Sequence, residues 1–262
     1  MDAAFGFLDV LPVWARALVW GTLAGSGLLV GLLVAIIARP AHAAIAHTMS
    51  FGAGALFGTV SLQLTSSAQR HAGTARATIV LLLGALIFSI VNAWLARAGA
   101  RHRKRCGECV PQENEQASPG SGQAIAIGTM IDALPEGLVL GVAVAQSMAP
   151  TAVVVAGFFL ANVPESLSGS AGMYLAGRSP KYIFSVWGVA SLVTPVAAVL
   201  GSLLFAAASP ATAGAFHALS AGILLAMAVE TMIPEAFEKA PAFCGSVAVL
   251  GFATIAALTA LT

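Results

Sequence analysis

Charge is what this sequence has least of. Only 9% of its 262 residues are Asp, Glu, Lys or Arg, whereas a soluble domain carries about a quarter. With 12 basic and 11 acidic residues the formal net charge is +1. That balance excludes both a basic nucleic-acid binder and an acidic disordered chain. Cysteine is scarce too. Cys106, Cys109 and Cys244 are an odd set of three, with only the first two close in sequence, so no disulfide framework is encoded. The N-terminal stretch carries Asp2 and Asp9 where a signal peptide has basic residues, and its first apolar run is too long for one. No cleavable targeting segment is expected.

What the sequence has in abundance is apolar length, at 58% hydrophobic residues. A membrane crossing takes about 20 such residues, which leaves room for eight spans and short loops. Runs at 13–38, 47–66, 76–97, 123–147, 150–177, 181–206, 213–236 and 241–261 predict an all-α, multi-pass membrane protein with eight transmembrane helices. Breaks fall at Pro40, Arg70 and His71, Pro150, Pro180, Pro210 and Pro241, where helices stop and restart.

Basic residues orient the chain. With the N-terminus outside, the cytoplasmic segments hold Arg39, Arg97, Arg101, Arg103, Lys104, Arg105, Arg178, Lys181 and Lys239, nine residues against three (Arg16, Arg70 and Arg76) outside. The excess belongs on the cytoplasmic side, so both termini are expected outside. Residues 1–97 then hold three spans, 98–122 a flexible cytoplasmic loop rich in Gly, Ser, Pro and charge, and 123–262 the remaining five spans. The GxxxG spacings Gly21/Gly25, Gly27/Gly31 and Gly54/Gly58 are read as close helix packing.

The acids carry the functional signal. Asp132, Glu136, Glu165 and Glu230 fall well inside spans and Glu235 near the end of one, while the basic residues lie outside spans or near their ends. A charge at mid-bilayer costs at least about 2.5–3.5 kcal/mol on insertion scales, so uncompensated acids point to a visiting cation. Asp132 and Glu136 are one helical turn apart on one face. Asp132 lies fourteen residues before Gln146 and Glu165 fourteen after Thr151, which puts both about 21 Å from the connection at 148–150. Glu230, seventeen residues after Ala213, reaches about 25 Å from the same side. Pro135 and Pro164 each remove a helical hydrogen bond, from the carbonyls of Ile131 and Leu160. Oxygens freed in this way are tolerated where they line a polar cavity or an ion site. The two segments repeat one motif, Leu134-Pro135-Glu136-Gly137-Leu138 and Val163-Pro164-Glu165-Ser166-Leu167.

With these motifs the sequence resembles the ZIP (Zrt/Irt-like) family of divalent metal transporters. Asp132-Ala133-Leu134-Pro135-Glu136-Gly137 is similar to the family's fourth-span H-N-x-P-E-G, and Asn162-Val163-Pro164-Glu165 to its fifth-span [HQ]-[ND]-x-P-E. Glu230-Thr231-Met232-Ile233-Pro234-Glu235 is similar to the seventh-span E-E-x-I-P-E, and Phe51-Gly52-Ala53-Gly54 to the second span. The resemblance implies a ZIP-like bundle, a homodimer, and a helix block that moves against a scaffold. It also implies a primary metal site of Asp132, Glu136 and Glu165, with Asn162 and Glu230 at an adjacent second site. Asp132 stands where the family usually has His, Ala133 where it has Asn, and Ala161 where it has His or Gln, so one site is expected rather than two.

The chain is therefore expected to import a divalent cation, zinc first, across a plasma membrane (the cytoplasmic membrane if bacterial), with the bilayer as its surroundings and no organic cofactor. Oxygen ligands without imidazole discriminate poorly against manganese, iron(II) or other divalent ions. Clustered carboxylates repel one another when empty, so arriving metal is expected to displace protons and make transport pH-dependent. In the loop, His102, Cys106, Glu108 and Cys109 form a second candidate metal group, against the alternative of a plain tether. His217, near the outside end of its span, either helps metal in or is a bonded interfacial ring. Met130, Met173, Met227, Met232 and Cys244 are read as packing residues. Two other readings stay open: a proton- or sodium-coupled carrier of an organic solute using the same acids, and a membrane-embedded metal-dependent hydrolase. The latter is disfavoured by the absence of H-E-x-x-H and of a mid-span His near Ser168 or Ser170.

Overall fold

Helix starts follow the serine–proline punctuation. Ser179 and Ser209 each cap a helix, their hydroxyls accepting from the backbone N–H of Tyr182 and Thr212 at 3.2 Å. The prolines that follow occupy the first helical position, where a missing N–H costs nothing. Gly73 (φ +80°) and Gly177 (φ +79°) terminate helices in backbone conformations that other residues adopt with strain.

The computed structural model describes Leu8 and residues 10–97, 121–147, 151–239 and 242–261. Among the described residues the regular elements are all helices. They are α1 (Val13–Ile37), α2 (His42–Ala72), α3 (Thr74–Leu95), α4 (Ser121–Gln146), α5 (Thr151–Leu175), α6 (Pro180–Leu204), α7 (Pro210–Glu238) and α8 (Cys244–Ala260). Two contain a π-helical stretch, Val60–Thr65 in α2 and Ala228–Met232 in α7. Seven helices, α1 to α7, are long and apolar enough to cross a membrane. Apolar α8, expected as the eighth span, has 17 residues, about 25 Å against a hydrocarbon core of about 30 Å.

Sequence and structure differ most over α2, expected at 47–66 and found at 42–72. Polar residues do not stop it because they find partners inside the bundle. Gln63 donates to Thr259 Oγ1 of α8 at 2.7 Å, and the helix continues until Gly73. The loop assigned to 98–122 lies outside the described residues up to 120, including His102, Cys106, Glu108 and Cys109, while Ser121 and Gly122 open α4.

Glycines decide which helices become neighbours. Gly21 and Gly25 of α1 lie against Pro195 and Ser191 of α6, and Gly27 and Gly31 against Phe159 and Val163 of α5. Gly137 and Gly141 of α4 seat against the carbonyls of Thr194 and Ala198 in α6, and Gly54 of α2 against Ala248 of α8. A Cβ at any of these would collide with backbone, so the sequence motif is packing, as read. The result is two groups, α1/α4/α5/α6 and α2/α3/α7/α8, joined chiefly where α2 meets α5 and α4 meets α7. Helices α4 and α5 are joined by the short connection at 148–150. Their main neighbours are instead α6 for α4, and α1 and α2 for α5, which leaves the two facing each other at few points. On the periphery, α3 presents Ile79, Leu82, Leu83, Leu86, Ile90 and Trp94 outward at helical spacing, a face suited to lipid.

Candidate metal centre

Gly137 and Gly141 fix one face of α4 on α6. Asp132 and Glu136 stand about 100° or more around the same helix from that face, with 4% and 1% of their surfaces exposed. Glu165 of α5 is buried as well, and so is Glu235 of α7. None of the described Lys and Arg side chains is buried. The expected asymmetry between buried acids and peripheral bases therefore exists in three dimensions.

Asn162 is buried one turn before Glu165, and its Nδ2 donates to the Ala24 carbonyl of α1 at 3.2 Å. That bond sets the amide orientation and leaves its oxygen as the other polar atom of the side chain. Pro164 packs on Gly52 of α2, and the Leu160 carbonyl it frees lies over the same glycine. This oxygen is thus on the α2 side of α5, where the absent side chain of Gly52 makes room for it.

The seventh helix departs from the depth argument. Glu230 is exposed, and its carboxylate accepts hydrogen bonds from Ser89 Oγ and, at 2.8 Å, from Asn92 Nδ2, both on α3. The α7 acid that meets α5 is Glu235, whose Oε1 accepts from Ser168 Oγ at 3.1 Å. Residue counting fixes depth along a helix but not azimuth, and five residues of α-helix turn the side chain by about 140°. Glu230 lies within the π stretch Ala228–Met232, and Glu235 lies three residues past its end. The P-E pair Pro234-Glu235, which echoes the P-E pairs of α4 and α5, was the signal in the sequence for this residue.

Toward the 148–150 end of the acid positions the bundle is dry. Val60 and Leu64 of α2, Leu140 of α4, Phe158 of α5 and Leu224 of α7 belong to one cluster, each with no exposed surface. Met173, Met227, Met232 and Cys244 are buried, as packing residues should be. A cavity of about 330 Å³ lies elsewhere, bordered by Arg39, His42, Ser170 and Tyr174, and none of the acids lines it. Among the described residues, no three His, Cys, Asp or Glu side chains gather closely enough to hold a metal ion. The arrangement is of buried acids on facing helices, and the connection 148–150 lies outside the described residues.

Residues 102–259 match the family model described as ZIP Zinc transporter. No curated protein matches the chain.

Proposed function

The chain belongs to the ZIP zinc transporter family, whose members move divalent metal ions and are not enzymes, and we propose that it imports zinc through a carboxylate site on α4 and α5. The observation that carries this reading is the burial of Asp132, Glu136 and Glu165 where none of the described Lys or Arg is buried. Carboxylates suit a divalent cation as oxygen donors. Asp132, Glu136 and Glu165 are the proposed ligands, with Asn162 lending its amide oxygen from one turn before Glu165. Glu230, held by Ser89 and Asn92, is proposed to line the inward exit, and Glu235 to share the acid face of α5 through Ser168.

Sparse packing between α4 and α5 supports a site that closes around its ion as the two helices draw together. The apolar layer of Val60, Leu64, Leu140 and Leu224 supports closure on the 148–150 side, which is proposed to be the outside. Both termini are then outside, α8 completes eight spans, and a homodimer in the plasma membrane is the proposed assembly. Family membership removes the hydrolase reading, and nothing in the packing favours an organic solute.

The test is uptake of zinc, manganese, iron(II) and cadmium into proteoliposomes holding the purified chain, with Glu165→Gln as control. Saturable uptake lost in the variant is expected. Uptake that survives the substitution in an inserted protein would remove Glu165 from the pathway.

A further inference from the structure

Among the described residues outside the acid layer, His217 is a fully buried titratable side chain with an unpartnered atom. His217 of α7 has no exposed surface, and its Nε2 lacks a hydrogen-bond partner. Its Nδ1 lies 3.2 Å from Ser67 Oγ, near the end of α2. The same serine holds a second ring: His71 Nδ1 is 2.8 Å from the Ser67 carbonyl oxygen and 3.5 Å from its hydroxyl. Gly214, three residues before His217, makes the close approach possible, because a side chain there would strike His71 Cβ and the Ala72 backbone.

This geometry constrains the tautomers. A carbonyl only accepts, so the hydrogen of neutral His71 sits on Nδ1 and its Nε2 keeps a lone pair. The Ser67 hydroxyl takes either role toward His217. Placing the hydrogen on Nδ1 avoids burying an orphan N–H, and Nε2 again presents a lone pair. Metal-ligating histidines are oriented in this way, one ring nitrogen donating to a protein oxygen while the other faces the ion. His71 is half-buried, and His217, which shares Ser67 with it, is fully buried.

We propose that His71 and His217, both oriented by Ser67, form an imidazole station that binds the divalent cation before it reaches the carboxylates. The apolar layer of Leu64 and Leu224 lies between the station and the acid layer, so the two bind in sequence. Imidazole suits zinc, whereas manganese, magnesium and calcium prefer oxygen donors. Selection for zinc, which an all-oxygen centre performs poorly, is thereby assigned to the station. The order of the two sites rests on the carboxylate reading given above; binding at the station does not.

The experiment is zinc binding and zinc X-ray absorption on the full-length protein in detergent. The parent carries Glu165→Gln, His102→Gln, Cys106→Ser and Cys109→Ser, which removes the carboxylate site and the loop ligands. One zinc with imidazole nitrogens at about 2.0 Å is expected. His217→Gln or His71→Gln removes that imidazole signal, and Ser67→Ala, which keeps both rings but frees them, weakens binding about tenfold or more. His71→Gln leaves the buried ring in place and covers the case in which His217→Gln does not fold. A parent that binds no zinc, or an imidazole shell unchanged by the histidine substitutions, overturns the proposal. Uptake insensitive to Glu165→Gln beside intact imidazole binding overturns only the carboxylate reading.

Discussion

Ser168 of α5 donates a hydrogen bond to Glu235 of α7 at 3.1 Å, with both side chains buried. Ser168 lies three residues past Glu165, so the two share a face of α5. The bond therefore brings a third helix to the acid face, and it also crosses between the two helix groups. A hydrogen bond to a charged group contributes about 1.5–3 kcal/mol, and stranding a buried partner costs a comparable amount. Glu235→Gln is expected to reduce metal uptake much more than Glu230→Gln, since Glu230 is exposed and its partners lie on α3. Parallel uptake curves at matched protein density decide the order, and equal losses would restore Glu230 to the rank that residue counting assigned it.

By the resemblance Asp132 stands where the family usually has His, and at 4% exposed it places any replacement side chain in the same interior. Asp132→His replaces an oxygen donor with an imidazole nitrogen, which shifts preference toward zinc and away from manganese. The expected result is a severalfold rise in the ratio of zinc to manganese uptake, read by competition between the two ions in proteoliposomes. An unchanged ratio would place Asp132 outside the coordination sphere.

Gly31 allows α1 to lie directly on the Val163 carbonyl and Ser166 of α5. Overpacking a tight contact costs about 1–3 kcal/mol, so Gly31→Leu is expected to lower the thermal unfolding midpoint in detergent and to weaken uptake by displacing Glu165. Gly188 of α6 has open space where its side chain would be. Gly188→Ala should leave the midpoint unchanged or raise it, since alanine favours helix by about 1 kcal/mol over glycine. The pair separates close packing from a general sensitivity to glycine replacement.

The helices and the acids were legible because both rest on strong terms. A run of about 20 apolar residues has few alternatives to a membrane helix, and a buried carboxylate is costly enough that Asp132, Glu136 and Glu165 stand out from a chain with 9% charge. Packing partners were harder to read. A short connection between α4 and α5 does not decide what each packs on: Gly137 and Gly141 commit α4 to α6, while Gly27 and Gly31 of α1 claim α5. The azimuth of the α7 acids was not readable from depth, because a π stretch at Ala228–Met232 has no composition signal of its own. The buried ring of His217 was visible as a residue, but its environment was not, because Ser67 lies 150 residues away in the chain.

The last expectation concerns protons. Asp132, Glu136 and Glu165 are buried and are proposed to meet the ion as carboxylates, for whose oxygens protons compete with a metal ion. A metal ion binds the ionised form, hence binding releases protons and weakens as pH falls. Zinc uptake at a subsaturating concentration is expected to be lower at about pH 5.5 than at about pH 7.5, with the difference shrinking as zinc approaches saturation. Adding zinc to a weakly buffered detergent sample should release protons, and Glu136→Gln should release fewer because one titrating group is gone. His102, Cys106 and Cys109, the other candidate ligands in the sequence, are replaced in both proteins so that the comparison reads the buried acids. Identical proton release from the two would mean that Glu136 is not where the ion and the proton exchange.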